Sequence, residues 1–264
     1  GSEMCIRDSF GGSSRVIFTI AGKELKTLFL SPMAWSILAV VQAILAYFFL
    51  IYLDYFVQIQ SQLTMLPNAP GITSIVVAPL FATVAIVLLL VVPLLTMRVV
   101  SEERRNMTLS LLISAPVSVS EIILGKYFGI LGFLLLMLLM VCLMPFSLAF
   151  VGTIDGGLVA SGVLGMFLML CSFAAIGLYL STLTKQPTVA AVSTFGVLLI
   201  LWIVDIAGKT ENQDSILSYL SMLNHNQALL RGIFSSTDII YYLLCITVFL
   251  VLSIRRLDAE RLQQ

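Results

Sequence analysis

Residues 156–184 read GGLVASGVLGMFLMLCSFAAIGLYLSTLT and contain no charged side chain. A helix needs about 20 mostly apolar residues to cross the hydrocarbon core of a bilayer. The stretch exceeds that length and is bounded by Asp155 before it and Lys185 after it. It is therefore predicted to span a membrane, with enough length to tilt.

The composition of the whole chain agrees with a membrane location. Its 264 residues are 59% hydrophobic and 11% charged, whereas a soluble domain is about 45–50% apolar and about 25% charged. A chain of this size cannot hide so much apolar surface in one water-soluble core. These values exclude a soluble enzyme, a nucleic-acid-binding protein and a disordered linker.

Five further apolar stretches have the length of a span or come close to it. They are residues 33–53, 72–97, 127–151, 186–204 and 239–254. The last is the shortest, and it gains length if Arg255 and Arg256 snorkel to the interface. We therefore predict an all-α, polytopic membrane protein with six transmembrane helices.

The basic residues predict the orientation of these spans. Only Lys209 and Arg231 fall on the outer side when the N-terminus is placed inside. The inner side receives Arg7, Arg15, Lys23, Lys26, Arg98, Arg104, Arg105, Lys126, Lys185, Arg255, Arg256 and Arg261. Because cytoplasmic loops carry the excess of Lys and Arg, both termini are predicted to be cytoplasmic.

The N-terminal region is predicted to lie on the membrane rather than across it. Arg15, Thr19, Lys23 and Lys26 fall on one face of a helix over residues 15–30. Apolar residues fill the rest, which is typical of an interfacial amphipathic helix. Residues 1–12 are polar and aperiodic and are predicted to be a non-native or disordered tail. Residues 13–257 then form one six-span domain, and residues 258–264 a cytoplasmic tail.

The inner segment of residues 101–115 combines charge with an apolar side. Ser101 is predicted as an N-cap, with Glu102 and Glu103 in the first helical turn, where the helix dipole favours acids. Its apolar side consists of Leu109, Leu112 and Ile113. Ser118 and Glu121 then form a capping box before the next apolar run. The residues alone leave open a partner-binding helix and a loop that only maintains topology, and they slightly favour the loop.

The outer segment of residues 206–238 is too long for a plain connector. Apolar residues recur in it at steps of three and four, which indicates helical pieces. They include Ile216, Leu220, Leu223, Leu230 and Phe234. These pieces either re-enter the outer leaflet or lie on its surface, and the pattern leaves both possibilities open.

Motifs for catalysis or cofactor binding are incomplete. Gly208 and Lys209 resemble the end of a phosphate-binding loop, but Ile203 stands where that loop needs glycine. Glu102 and Glu103 resemble an intramembrane protease motif, but Met107 replaces its arginine and the single histidine, His225, lies on the other side. The four cysteines have no ligand spacing. No catalytic, metal or cofactor site is therefore expected. Lys126, beside the small residues Gly125 and Gly129, is expected to snorkel.

Three successive stretches carry a family resemblance. Residues 101–108, 111–118 and 121–126 read SEERRNMT, LLISAPVS and EIILGK. They resemble the ABC-2 type ABC transporter permeases, whose pattern is an acid, a basic pair, Gly-Thr, a Leu-rich step, Ser/Ala-Pro-Val-Ser and Leu-Gly-Lys. Met107 stands at the glycine of that pattern. Residues 224–232 and 238–242 resemble the subgroup that contains gliding-motility permeases.

The resemblance implies a membrane subunit of an exporter, located in the bacterial inner membrane. In this family two six-span chains, identical or related, pair with two cytoplasmic ATPase chains that bind ATP. An auxiliary periplasmic or membrane protein is a further implied partner. An alternative is a subunit that transmits force or acts as a scaffold without passing any cargo.

The resemblance also assigns roles to residues. It implies a coupling helix at residues 101–115 that rests on the ATPase, and a re-entrant outer segment at residues 212–236. The implied coupling residues are Glu102, Glu103, Arg104, Arg105, Leu109 and Leu112. The implied residues of the outer segment are Leu220, Leu223, His225, Arg231 and Gly232.

Overall fold

The computed structural model describes residues 2–63, 71–107, 117–148, 155–208, 222, 227, 230, 232 and 235–262. All regular secondary structure in these residues is helical, which confirms the predicted all-α class. The elements are α1 (Ser2–Leu30), α2 (Pro32–Leu63), a π-helix (Thr73–Val77), α3 (Ala78–Thr96), α4 (Ser101–Arg105), α5 (Val119–Leu148), α6 (Gly156–Leu183), α7 (Pro187–Gly208) and α8 (Ser236–Arg261).

Each of the six predicted spans corresponds to one helical stretch in the described residues. Residues 149–151 of the predicted span 127–151 lie outside the described residues. Helices α2, α5, α6, α8 and the stretch from the π-helix through α4 are long and apolar enough to cross a membrane. The sixth apolar helix is α7, described as an apolar stretch over Pro187–Ile203. Helices α2 and α8 continue past their predicted ends because polar residues extend them. Asp54 there accepts a hydrogen bond from Gln58, four residues on.

Helix α6 is the centre of the bundle. It contacts α3, α5, α7 and α8, and 67% of its most apolar window is buried, against 17% for the windows of α2 and α8. Small residues allow this close packing. A Cβ atom added at Gly177 would lie 2.8 Å from the Cβ of Thr96, and one added at Gly162 would lie 2.8 Å from the ring of Phe81.

The amphipathic character predicted for α1 is confirmed. Its half-buried face includes Ile17, Ile20, Leu25 and Leu28, while Arg15, Lys23 and Lys26 are exposed. Protein covers much of that apolar face, because α1 packs along α5. The helix begins at Ser2, so the described part of the predicted tail is helical.

Two of the three glycines of α5, Gly125 and Gly129, mark where α1 crosses it. A Cβ added at Gly125 would lie 2.7 Å from the Cβ of Ile20, and one added at Gly129 would lie 2.6 Å from the Cβ of Glu24. Real Cβ atoms do not approach so closely. The absence of side chains on this ridge therefore lets the backbones of α1 and α5 meet.

The capping box before α5 is confirmed. The Ser118 amide donates to Glu121 Oε2 over 3.0 Å, and the Glu121 amide donates to Ser118 Oγ over 3.3 Å. The predicted N-cap of α4 is wrong, because Val100 occupies that position and Ser101 is the first helical residue. The Ser101 hydroxyl instead donates back to the carbonyl of Met97.

Adding one methyl group to the glycine ridge should weaken the α1–α5 contact. We expect Gly125→Ala to destabilise the purified protein by about 1–3 kcal/mol, the usual cost of overpacking a filled contact. Gly196→Ala is the matched control, because a Cβ at Gly196 meets nothing within 4 Å. Unfolding in mixed micelles measures both variants. Equal midpoints for the two would contradict the crossing described above.

Candidate functional site

The charged residues predicted for coupling lie at one end of the bundle, here called the basic end. It contains α4, the part of α1 that packs on α5, the turn between α6 and α7, and the last turns of α8. The described coupling residues are Glu102, Glu103, Arg104 and Arg105, all on α4. Leu109 and Leu112 lie outside the described residues.

Lys126 is the most buried charged side chain at this end, with an exposed fraction of 1%. Its ammonium donates to Glu24 Oε1 of α1 over 2.6 Å and to the Val99 carbonyl over 2.9 Å. It also forms an ion pair with Glu103 Oε1 of α4 at 2.8 Å. One α5 side chain thus holds α1, the turn before α4 and α4 itself.

These three partners match the chemistry of lysine. An ammonium has three N–H donors and no acceptor, so three oxygens satisfy it completely. Removing a charge from water costs several kcal/mol, which only good geometry and further hydrogen bonds offset. The expectation that Lys126 snorkels is therefore wrong, because acceptors from its own chain replace water.

Arg104 provides a second tie, between α4 and α8. Its Nη2 atom donates to Glu260 Oε2 over 2.6 Å. The Arg104 side chain has an exposed fraction of 9%, so this pair is largely withdrawn from solvent. Glu260 also lies 3.8 Å from Arg256, one turn earlier on α8. Residues 258–261 of the predicted tail are consequently helical and in contact with the bundle.

Ser181 of α6 provides a third tie. Its hydroxyl oxygen accepts hydrogen bonds from the amides of Val100 and Ser101, at 3.2 and 3.1 Å. The same hydroxyl donates to the Met97 carbonyl over 3.2 Å. Two amides at the start of α4, which lack helical partners, are thereby satisfied.

The four charged residues of α4 therefore divide into two pairs. Glu103 and Arg104 are bound within the bundle. Glu102 and Arg105, three residues apart, are exposed on the other face. Only this outward pair is available to another molecule.

Two cavities flank the outward pair. One, of about 430 Å³, lies toward the turn between α6 and α7 and is lined by Arg98, Glu102, Arg105, Gln186 and Thr188, among others. The other, of about 370 Å³, lies toward α1 and is lined by Lys23, Glu24, Arg98 and Glu102, among others. Arg98 and Glu102 thus separate the two cavities.

Met107 ends α4 with an unusual backbone conformation. Its φ angle is +58°, in the left-handed region, and its side chain is 77% exposed. Helices commonly end with such a residue, usually glycine, since a Cβ is disfavoured there. The glycine of the permease pattern at this position is therefore explained by the backbone conformation, which glycine adopts easily. This chain has methionine in the same conformation.

The opposite end of the bundle holds the described part of the outer segment. Tyr242 of α8 is buried, and its hydroxyl donates to the carbonyl of Met222 over 2.9 Å. Met222 and Leu230 are also buried, and Gly232 has a φ angle of +78°. Leu220, Leu223, His225 and Arg231 lie outside the described residues.

Three partners of the site are missing from the sequence prediction. Glu24, Ser181 and Glu260 are distant in sequence from the residues they bind. Only Glu24 carried a local signal, because it falls on the half-buried face of α1 between Ile20 and Leu28. A carboxylate on such a face requires a partner.

The arrangement is a set of structural ion pairs rather than a reactive centre. In the part of the chain that the structure describes, no group of three His, Cys, Asp or Glu side chains could hold a metal ion. The three ties instead connect α4 to four other elements. What the basic end can do is transmit displacement of α4 to the bundle.

Removing the Lys126 ammonium should strongly destabilise the basic end. Lys126→Met leaves two carboxylates together in a partly buried site, and breaking such a buried pair costs about 3–5 kcal/mol. Arg256→Met is the control, since Arg256 is 47% exposed at 3.8 Å from its partner and should cost about 1 kcal/mol or less. Unfolding of both variants in mixed micelles measures the difference. Equal losses would show that Lys126 does not organise this end.

Replacing Met107 by glycine should stabilise the protein. The left-handed conformation costs an L-residue about 1–2 kcal/mol, which glycine avoids. We expect Met107→Gly to raise the free energy of unfolding by about 1 kcal/mol. Met107→Ala, which retains the Cβ, should give no comparable gain. A gain with alanine would indicate that the long exposed side chain, and not the backbone, is the cause.

Comparison with known proteins agrees with this geometry. A comparison with curated proteins finds no match. The family model described as ABC-2 family transporter protein matches residues 18–262, which include every helix from α2 to α8 and all three ties. The chain therefore belongs to the ABC-2 family of transporter proteins.

Proposed function

We propose that this permease is the membrane subunit of an exporter and is driven by a separate cytoplasmic ATPase that acts on α4. The chain has no complete phosphate-binding loop of its own. The proposal assigns ATP hydrolysis to the partner ATPase. Residues 101–115 form the segment that receives its movement.

The attachment of α4 to the bundle carries this proposal. Lys126 links α4 to α1 and α5, Arg104 links it to α8, and Ser181 links the preceding turn to α6. A five-residue helix held in this way cannot shift alone, because each tie involves a side chain with little access to water. Force applied to α4 is therefore shared among four elements, three of which, α5, α6 and α8, are long and apolar enough to span a membrane.

The outward face of α4 provides the contact for the partner. Glu102 and Arg105 are exposed there, and Leu109 and Leu112 supply the apolar step that follows in the sequence. Buried apolar anchors surrounded by polar contacts are the usual form of a protein interface. The inward pair, Glu103 and Arg104, then acts as a support for this contact and not as part of it.

The proposed orientation places the basic end in the cytoplasm. The basic residues of α1, α4 and α8 all lie at this end, as the positive-inside rule requires for a bacterial inner-membrane protein. Both termini are then cytoplasmic. The partners are two ATPase chains, a second permease chain, identical or related, and an auxiliary periplasmic or membrane protein.

The outer segment is proposed to re-enter the membrane region and cap the bundle. Met222 and Leu230 have exposed fractions of 2% and 6%, and Tyr242 binds the Met222 carbonyl. Burial against protein favours this arrangement over a helix on the membrane surface, because a helix that lay on the surface would not bury Met222 and Leu230 against the bundle. We also infer a closer relationship with the gliding-motility permeases, whose pattern includes Gly232 and Tyr242.

A second candidate function is force transmission without cargo. Among the described residues, the buried charged side chains Lys126 and Asp238 lie near helix ends. No charged side chain occupies the middle of a described span. This favours either an apolar cargo or a subunit that moves and passes nothing. Transport by the purified complex in sealed vesicles separates the two.

Truncating the apolar step should uncouple the ATPase. We expect Leu112→Ala to weaken co-purification of the ATPase by about 2 kcal/mol, or about thirtyfold in affinity, as loss of an interface anchor does. Membrane content of the permease should stay normal, because the residue lies outside the spans. Leu262→Ala is the control, since Leu262 is apolar, belongs to the basic end and is 88% exposed.

Glu102→Lys tests the charged part of the same contact. It adds a positive charge to the first turn of α4, where the helix dipole is already positive. Full ATPase binding and full function in both Leu112→Ala and Glu102→Lys would contradict the coupling role. If the unmodified permease binds the ATPase normally but the complex transports no cargo in vesicles, the second candidate, force transmission without cargo, is favoured.

A further inference from the structure

Helices α3 and α7 face each other with matched residue spacing. On α3, Leu90, Pro93 and Leu94 recur at steps of three and four and so share one face, and Met97 and Arg98 follow in the turn after the helix. The residues of α7 that meet this face are Pro187, Thr188, Ala191, Val192 and Phe195. The two faces line two cavities that follow each other along the helices, here together called the α3–α7 groove.

The part of the groove that lies deeper in the span is entirely apolar. It has a volume of about 240 Å³ and no polar lining surface. Its lining residues are Leu90, Pro93, Leu94, Ala191, Val192 and Phe195. Leu90 and Val192 are exposed, so this part opens on the outside of the chain at the depth of the lipid tails.

The part at the basic end is larger and charged. It is the cavity of about 430 Å³ that Arg98, Glu102 and Arg105 line. Two arginines against one glutamate give it a net positive charge. No ion pair involves Arg98 or Arg105 within the described ranges, whereas Arg104 beside them is paired with Glu260. The amino-terminal end of α7, at Pro187 and Thr188, adds the positive end of a helix dipole.

We propose that the α3–α7 groove binds one anionic phospholipid of the inner leaflet. Its phosphate lies against Arg98, and one acyl chain fills the apolar part. The proposal rests on the proposed orientation, because only a cytoplasmic basic end places the arginines at the inner headgroups. The charged part and the apolar part of the groove then follow each other in the same order as the headgroup and the acyl chain of a lipid.

The two parts contribute differently to binding. Bilayer hydrocarbon is as apolar as the deep part of the groove. The acyl chain of the lipid therefore gains little free energy when it moves from the bilayer into the groove. The apolar part therefore only has to provide space. Selection must come from the headgroup, where each basic residue near the surface contributes about 1 kcal/mol toward an anionic lipid.

Charge complementarity favours a lipid over a second copy of this chain as the occupant. A second copy would bring its own basic end against Arg98 and Arg105, since both chains share one orientation in the membrane. Like charges at the same depth repel each other. A negatively charged headgroup does not meet this repulsion.

Lipid titration of the purified full-length permease, followed by native mass spectrometry, tests the proposal. We expect phosphatidylglycerol to bind more tightly than zwitterionic phosphatidylcholine of the same chains. Arg98→Gln should weaken phosphatidylglycerol about fivefold, the equivalent of about 1 kcal/mol, with little effect on phosphatidylcholine. Lys185→Gln is the matched control, because Lys185 is exposed at the same end but does not line the groove.

A second pair of variants tests the apolar part. Ala191→Phe should fill the groove and weaken both lipids by a similar factor. Ile200→Phe, on an exposed position of α7 outside the groove, should change neither. A large excess of inorganic phosphate should not displace the lipid, since phosphate has no acyl chain to occupy the apolar part of the groove.

Three results would overturn the proposal. Equal affinity for the two lipids in all variants would mean that no selective site exists. Displacement by phosphate without an effect of Ala191→Phe would indicate an anion site without a lipid chain. A change from dimer to monomer with Ala191→Phe, read in the same spectra, would make the groove a contact between chains. Co-purification of the ATPase is measured separately, so its loss bears on the proposed function alone.

Discussion

A buried ammonium group determines how the basic end is assembled. Lys126 lies in a place that water does not reach, and its charge requires oxygen atoms on all three of its N–H bonds. No single neighbouring element supplies them, so α1, the turn before α4 and α4 each provide one. The glycine ridge of α5 follows from this need, since α1 must come close enough for Glu24 to reach. The position of Ser181 depends on this need as well, because Ser181 binds the turn whose Val99 carbonyl accepts from Lys126.

The number and type of the elements were predictable from the sequence. An uncharged stretch of sufficient length has few alternatives to a transmembrane helix, and each of the six such stretches corresponds to a helix in the described residues. Their ends were less predictable, because composition reports where the apolar residues stop and not where the helix stops. Thus α8 continues to Arg261 through a polar sequence that the ion pairs of Glu260 stabilise.

Local capping rules succeeded where the partner is local. Ser118 and Glu121 satisfy each other within one turn, and the sequence alone predicts that pair. The rule failed at Ser101, because the amides there are satisfied by Ser181, which is 80 residues away. The candidate site shows the same limit. Its charged residues on α4 could be identified, but which of them face inward depends on Glu24 and Glu260, whose proximity only the folded chain creates.

The last turn of α8 has a practical consequence for work on this protein. Because Glu260 neutralises the guanidinium of Arg104, a truncation after Leu257 would remove the carboxylate that pairs with this cation in the described part of the bundle. Affinity tags and fluorescent fusions that are joined there would damage the helix meant to report on activity, even though the residues read as a dispensable hydrophilic end. Fusions should begin beyond Leu262, where the side chain is almost fully exposed.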